Sequence, residues 1–312
     1  MLSALLQRIK IGKVGLTPPQ PQRDRHGVAI ALVVRNEVRH IGEWARFHKL
    51  AGIRHVLVYD DGCSDGTLAI LEQELGPQGH TVIPWGQRLS DCVLRRPIHN
   101  QVLAYAHAAA NFGGAFRWLA FIDADEFLVP VQASNVDEAL AHLGPEVCNL
   151  SLPWHMFGRN GHQHPPSGGV VANYRQRAAE PMQSANFKCL VDPCRLRGVR
   201  VHSMDTGHPA LTWNDGGEAW PLSRRQQAGF YSANHLQLNH YYTRSNAELE
   251  QKINRGPNLD AKRQAYRRKV MRTVRQIEAR CINDQRAIAF LERAELAERI
   301  QRQTLKSDSR NN

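Results

Sequence analysis

Apolar residues in this chain gather in short unbroken runs that stop abruptly in acid or in turn chemistry. Residues 28–34, 55–59 and 118–122 are each too short for a helix and almost wholly apolar, the pattern of strands buried on both faces. Between the first two, Ile41, Trp44, Ala45 and His48 recur at helical spacing, and Gly52 marks the stop. A strand, helix, strand unit is nearly always a right-handed crossover, so the ends of such strands meet at one sheet edge. Further helices are predicted over 68–75, from Pro97 to Phe112 ahead of Gly113-Gly114, over 136–143 and after Ser245. Further strands are predicted over 82–85, 149–154, 186–191, 198–202 and 236–242. A last long helix is predicted from 259 to about 305, with Tyr266, Val270, Val274, Ile277 and Cys281 as its apolar stripe.

These elements imply an α/β fold: an α/β/α sandwich around a Rossmann-like mixed sheet, with a C-terminal helical extension. The expected division is a leader over 1–26, a main domain over 27–256, a basic helical extension over 257–306 and a disordered tail over 307–312. At 312 residues the chain can bury a sizeable core. Its net charge of +11 fits an anionic partner without choosing one. Six cysteines without zinc-like spacing suit a reducing, cytoplasmic compartment, and no apolar run approaches the ~20 residues that span a bilayer. Residues 1–15 mix Leu2, Leu5, Leu6 and Ile9 with Arg8, Lys10 and Lys13, a short basic amphipathic segment without a signal-peptide cleavage site.

The chemistry concentrates where the runs end. After residues 118–122 come Asp123 and Asp125, which on an extended backbone project to the same side. Two neighbouring carboxylates repel unless a cation intervenes, which asks for a divalent metal, Mn or Mg by the oxygen donors. Residues 28–34 run into Arg35-Asn36-Glu37, and residues 55–59 into Asp60-Asp61 and the turn 62–67. Asp65 suits a helix cap and a ligand role equally. His155, His162 and His164 lack zinc spacing and are read as polar loop residues.

Taken together, Val33-Val34-Arg35-Asn36-Glu37, then Tyr59-Asp60-Asp61-Gly62-Cys63-Ser64-Asp65-Gly66-Thr67, then Phe121-Ile122-Asp123-Ala124-Asp125-Glu126-Phe127-Leu128 resemble the family 2-like and family 92-like glycosyltransferases of the GT-A fold. The resemblance implies a GT-A-like domain that moves a sugar from a nucleotide-sugar donor to a glycan or lipid-linked acceptor, with metal and with inversion. It assigns Arg35, Asn36, Glu37, Asp60, Asp65 and Asp123 to the donor, and Asp123 and Asp125 to the metal. Asn239-His240-Tyr241 with Arg244-Ser245 is similar to a later family block, which implies His240 as a third metal ligand. Trp154 to His162 is similar to another, which implies an acceptor-side loop carrying Trp154, Phe157, Gly158 and His162. Lys188 and His202 match recurring family positions, whereas Ala172-Asn173-Tyr174 departs from the family's Glu-Arg-Phe. No catalytic base is assigned; Asp215, Asp205 and Glu180 lie in the right part of the chain but in no matching pattern.

Two other readings are weighed. A metal-dependent phosphohydrolase or nucleotidyltransferase also uses paired aspartates at strand ends, but leaves residues 35–37 and 59–67 unexplained. A nucleic-acid-binding protein would spread cations and stacking aromatics over one face, whereas here the cations crowd the tail and aromatics are 7%. The same basic tail fits peripheral attachment at the inner, anionic face of a membrane.

Overall fold

The computed structural model describes residues 10–179, 186–207, 209–256 and 260–308. Aliphatic runs make the centre of a ten-stranded mixed sheet. Its strands are β1 (Val28–Val34), β2 (His55–Asp60), β3 (His80–Pro84), β4 (Trp118–Phe121), β5 (Glu126–Pro130), β6 (Asn149–Met156), β7 (Phe187–Val191), β8 (Leu211–Trp213), β9 (Ala219–Pro221) and β10 (Leu236–His240). The order is β9-β8-β6-β7-β4-β1-β2-β3, and β10 pairs with both β5 and β6. β4, β1, β2 and β3 run parallel, so their carboxyl ends share one edge. β7 then runs antiparallel between β4 and β6.

Side-chain alternation divides the core. Val28, Ile30, Leu32 and Val34 point into one layer with Ile41, Trp44 and Phe47 of α1 (Ile41–Leu50) and Leu71 of α2 (Thr67–Leu75). Ala29 and Ala31 point into the other, against Tyr105, Ala108 and Ala109 of α3 (Asn100–Phe112). Alanines on both surfaces let α3 lie close to the sheet. The predicted α/β architecture, with helices on both faces of a mixed sheet, is what the chain adopts. A short helix α4 (Val136–Leu140) follows β5, capped by Asn135, which accepts from Glu138 N at 2.8 Å.

The C-terminal part departs from expectation. The predicted single helix over 259–305 is two helices, α6 (Asp260–Glu278) and α7 (Arg286–Asp308), separated by the strand Cys281–Asn283. That strand pairs with Gln176–Ala178. The break has a chemical cause: Asp284 accepts from Arg286 N at 3.0 Å, capping α7, and from the buried Arg177 Nε at 2.6 Å. Nor is the extension a loose appendage. Val270 and Val274 of α6 pack on Leu249 and Ile253 of α5 (Asn246–Asn254), and Phe290 of α7 meets Phe47 with ring centroids 5.1 Å apart. The tail expected to be disordered from 307 begins as helix through Asp308, and 309–312 lie outside the described residues, as do 1–9 and Glu180. No described helix is long and apolar enough to cross a membrane.

Candidate active site at the carboxyl edge of the sheet

β4 stops at Phe121 and β5 starts at Glu126, and Glu126 N donates to Asp123 O at 3.1 Å. Residues 122–125 therefore form a tight turn, not the extended segment expected, and the two aspartates diverge. Asp123 accepts from Gln101 Nε2 at 2.6 Å and from Lys188 Nζ at 2.8 Å. Asp125 Oδ2 lies 3.4 Å from His240 Nε2 and 3.4 Å from Lys252 Nζ. Among the described residues no three His, Cys, Asp or Glu side chains converge as a metal cage. The chain thus brings Asp125 and His240 together and gives Asp123 to a different cation.

Behind the turn lies a buried ion cluster. Lys188 and Glu126 are both fully buried; Glu126 Oε2 accepts from Asp123 N at 2.8 Å and sits 3.5 Å from Lys188 Nζ. Burial pulls the Lys188 pKa down, but Asp123 and Glu126 outweigh it and hold the ammonium well above its ordinary range. Burial pushes Glu126 well up, opposed by Lys188 and assisted by the two aspartates. Tyr105 OH completes the cluster, accepting from Lys188 at 3.5 Å.

His240 ends β10, buried between β5 and β6 with its ring against Trp154 at 4.3 Å. Burial lowers its pKa, and the Asp125 carboxylate only partly restores it, so the imidazole is neutral at neutral pH. Burial would raise Asp125, but the side-chain bond from His240 and the Lys252 and Arg244 cations hold it well below the carboxylate range. A neutral imidazole and an ionised carboxylate are the forms that bind metal. Adjacent ligands about 2.1 Å from a small octahedral ion stand about 3 Å apart, so the 3.4 Å pair fits two positions on one such ion.

Beside Asp125 opens a pocket of about 320 Å³. On its wall Arg39, Arg244, Lys252 and Arg255 outnumber Glu37, Asp125 and Glu248, an excess suited to an anion. Glu37 accepts from Arg244 Nη1 at 3.2 Å and lies 3.5 Å from Arg255 Nη1, so it aligns the arginines. Arg244 adopts a left-handed backbone, φ 48°, unusual for a long side chain and costing on the order of 1 kcal/mol or more. Ser245 opens α5 in a capping box with Glu248. Burial raises Glu248, but the bonds from His40 and Ser245 prevail and hold it at about 2.

The earlier strand ends line the same edge. Asn36, at φ 54°, accepts from Ser64 N at 2.8 Å and so ties the β1 end to the loop after β2. Asp60 Oδ1 accepts from Gly62 N and Cys63 N at 3.1 and 2.7 Å. Asp65 accepts from Thr67 N at 3.0 Å and Val38 N at 3.3 Å, serving the start of α2. Arg35 is exposed at the rim.

On the other flank, Trp154 is half-buried between His202 and His240. Phe157 is a core residue stacked near Tyr241 at 4.7 Å, so its side chain orders the loop from inside. A Cβ at Gly158 would come within 3.2 Å of Glu278 Cγ, and His162 packs edge-on against Tyr174 at 5.2 Å. His155, read as a loop residue, sits buried in β6 with its pKa pushed down by burial to about 3. Asp215 is fully buried and accepts from His235 N and Leu236 N, and Asp205 accepts from Gly207 N. Asp215 thus serves the backbone, while Asp205 also pairs with Lys13 at 3.5 Å.

Five contributors had no role assigned from sequence. A lone lysine inside the apolar strand Phe187–Val191 signals buried pairing, which is what Lys188 does. Glu248, Lys252 and Arg255 fall at i, i+4 and i+7 on α5, one face of one helix, and that face walls the pocket. Gln101 of α3 holds Asp123.

The profile of glycosyltransferase family 92 matches residues 26–282, continuing past Gly256 through α6. A glycosyltransferase family 92 protein of Ricinus communis is 26% identical over 202 residues, 62% of this chain and 34% of that protein. One of Oryza sativa subsp. japonica is 26% identical over 193 residues, 60% of this chain and 30% of its own. The chain spans about a third of the length of these curated relatives. With the family profile running through the sheet, the aspartate turn and α6, the chain belongs to glycosyltransferase family 92.

Proposed function

We propose that this chain transfers a sugar from a nucleotide-sugar donor to a glycan or lipid-linked acceptor, with a GT-A-type arrangement and the nucleoside diphosphate seated in the pocket beside Asp125. The observation that carries the reading is Asp125, backed by His240, on the wall of a cation-rich pocket in a family 92 chain. Asn36 and Asp60 hold the nucleoside end, where Asp60 keeps one oxygen for a ribose or base donor. Arg244, Lys252 and Arg255 face the diphosphate, and donors aligned before reaction stabilise charge as it grows on a leaving group. Glu37 keeps two of them in place.

A divalent ion, Mn or Mg, fits Asp125 and His240 as protein ligands and would supply further positive charge to the departing diphosphate. Asp123, held by Lys188 and Gln101, is a fixed acceptor next to that ion and not one of its ligands. Displacement with inversion is the simplest stereochemical course, since a single carboxylate-assisted attack by the acceptor hydroxyl suffices.

The test is a panel of sugar nucleotides incubated with the chain, with and without Mn, and read as nucleoside diphosphate released. Acceptor-stimulated release from one donor class, suppressed by chelation, is the expected result. Absence of binding to every nucleoside diphosphate in the panel, by calorimetry with Mn present, contradicts the reading.

A further inference from the structure

Among the described residues eight large apolar side chains are exposed, and four of them, Val82, Leu89, Val93 and Leu94, fall between positions 82 and 94. Val93 and Leu94, 84% and 55% exposed, form the tip of a small hairpin whose arms are Ser90–Asp91 and Arg96–Pro97. Scattered apolar residues on a surface need no explanation, but a cluster at the end of a projecting hairpin does. The tip is also prepared for an apolar medium. Asp91 Oδ1 accepts from Val93 N at 3.0 Å and Leu94 N at 2.5 Å, so the amides of both apolar residues are satisfied without water. Arg95 and Arg96 follow directly, and Arg96 donates to Lys10 O at 3.4 Å, which brings an exposed lysine alongside.

Lys10 and Ile11 are fixed at the same place: Ile11 N donates to Pro97 O at 2.8 Å and His99 N to Ile11 O at 2.9 Å. We propose that this hairpin tip, with Lys10, Arg95 and Arg96 beside it, docks the protein on an anionic membrane surface. Apolar side chains entering the interface and basic residues at the headgroups are the two ingredients of such docking. A second copy of the same patch would set Lys10, Arg95 and Arg96 against themselves, and single-stranded nucleic acid would find no aromatic at the tip on which to stack.

The hairpin leads back to the pocket edge. Arg88 binds Asp61 through both nitrogens at 2.7 and 3.0 Å, and Asn100 Nδ2 donates to Asp61 Oδ1 at 2.8 Å, one residue from Asp60. A docked hairpin therefore brings the sheet's carboxyl edge near the lipid, which suits a lipid-linked acceptor. That consequence rests on the transferase reading; the docking surface does not.

The test is flotation of the full chain with phosphatidylglycerol-containing vesicles and with pure phosphatidylcholine vesicles. The parent is expected on the anionic vesicles only, released as salt rises. Val93→Asp with Leu94→Asp should lower the bound fraction about tenfold or more, the scale of removing two apolar side chains from the interface. Arg95→Glu with Arg96→Glu should weaken it through charge alone, and Leu296→Asp on α7, a site also half exposed, should leave it unchanged. Nucleoside diphosphate affinity equal in parent and variants keeps this result separate from the transferase assay. Parent protein that ignores anionic vesicles, or hairpin variants that bind as well as the parent, overturns the proposal. So does a hairpin variant that changes sedimentation from dimer to monomer while vesicle binding stays the same, since the occupant is then a second copy.

Discussion

Replacing Lys188 with methionine removes the cation of the buried cluster while keeping most of the side chain's volume. Glu126, with no exposure, and Asp123, with its side chain 34% exposed, then face each other without a counter-charge. Breaking a buried pair by deleting one partner costs roughly 3–5 kcal/mol. Two features place Lys188→Met at the lower end: Asp123 is partly solvated, and Glu126 already has a raised pKa and can take up a proton. A loss of about 3 kcal/mol lowers the melting midpoint by about 5–10 °C in a chain of this size. The pH dependence has a definite sign. Glu126 is the group with a raised folded pKa, so its strain is absent at low pH and appears as pH rises through that value. The gap between parent and Lys188→Met should therefore widen with increasing pH. Adding Glu126→Gln removes the stranded charge and should recover most of the loss, which differential scanning calorimetry on the parent, Lys188→Met, Glu126→Gln and the double variant measures. A double variant no more stable than Lys188→Met, or a gap that narrows as pH rises, refutes the reasoning.

His240→Ala should raise the Mn concentration for half-maximal transfer by about 10 to 100-fold, with His202→Ala as the control, and equal shifts in both remove His240 from the metal. Because burial lowers the His240 pKa, parent Mn affinity should stay level down to about pH 6.5 and weaken only below the ordinary histidine range; a decline beginning above pH 7 contradicts that. Arg244→Ala should lose about 1.5–3 kcal/mol of nucleoside diphosphate binding, the value of a hydrogen bond to a charged group, measured by calorimetry; unchanged affinity takes the residue out of the pocket's function. Phe290→Ala in α7 should cost about 3–5 kcal/mol in urea unfolding, since its ring is fully buried beside Phe47, whereas a loose helical appendage would lose almost nothing.

The sheet was legible because its central strands are unbroken aliphatic runs, and runs such as Val28–Val34 have few other ways to be buried. The convergence of residues 35–37, 60–65 and 123–125 followed from the parallel order of those strands. The geometry at Asp123 and Asp125 was not legible. Ile122 prolongs the apolar run past the end of β4, and an Asp-x-Asp spacing suits a turn as well as a strand. Only the partners, Lys188 on β7 and His240 on β10, reveal that the two carboxylates separate, and both are remote in sequence. His155 was misread for a related reason: the predicted strand ended at Trp154, and it is pairing with the remote Asn239 and His240 that carries the strand on through His155 to Met156. In the tail, helical spacing persists from Tyr266 to Cys281, but α6 stops at Glu278 and the chain passes into the strand Cys281–Asn283, whose partner Gln176–Ala178 is remote in sequence. The hairpin at residues 90–97 escaped notice because two apolar residues at a tip have no periodicity.

The most direct test of the account is calorimetric titration of the parent and of Asp125→Ala with the nucleoside diphosphate that binds best, each with and without Mn. Asp125 is half-buried at an open edge, where its carboxylate faces His240 and Lys252, so the substitution should leave folding largely intact. The account predicts a Mn-dependent gain in affinity for the parent and its loss, about tenfold or more, in Asp125→Ala. Equal Mn-dependent affinity in the two proteins, with both folded, would contradict it.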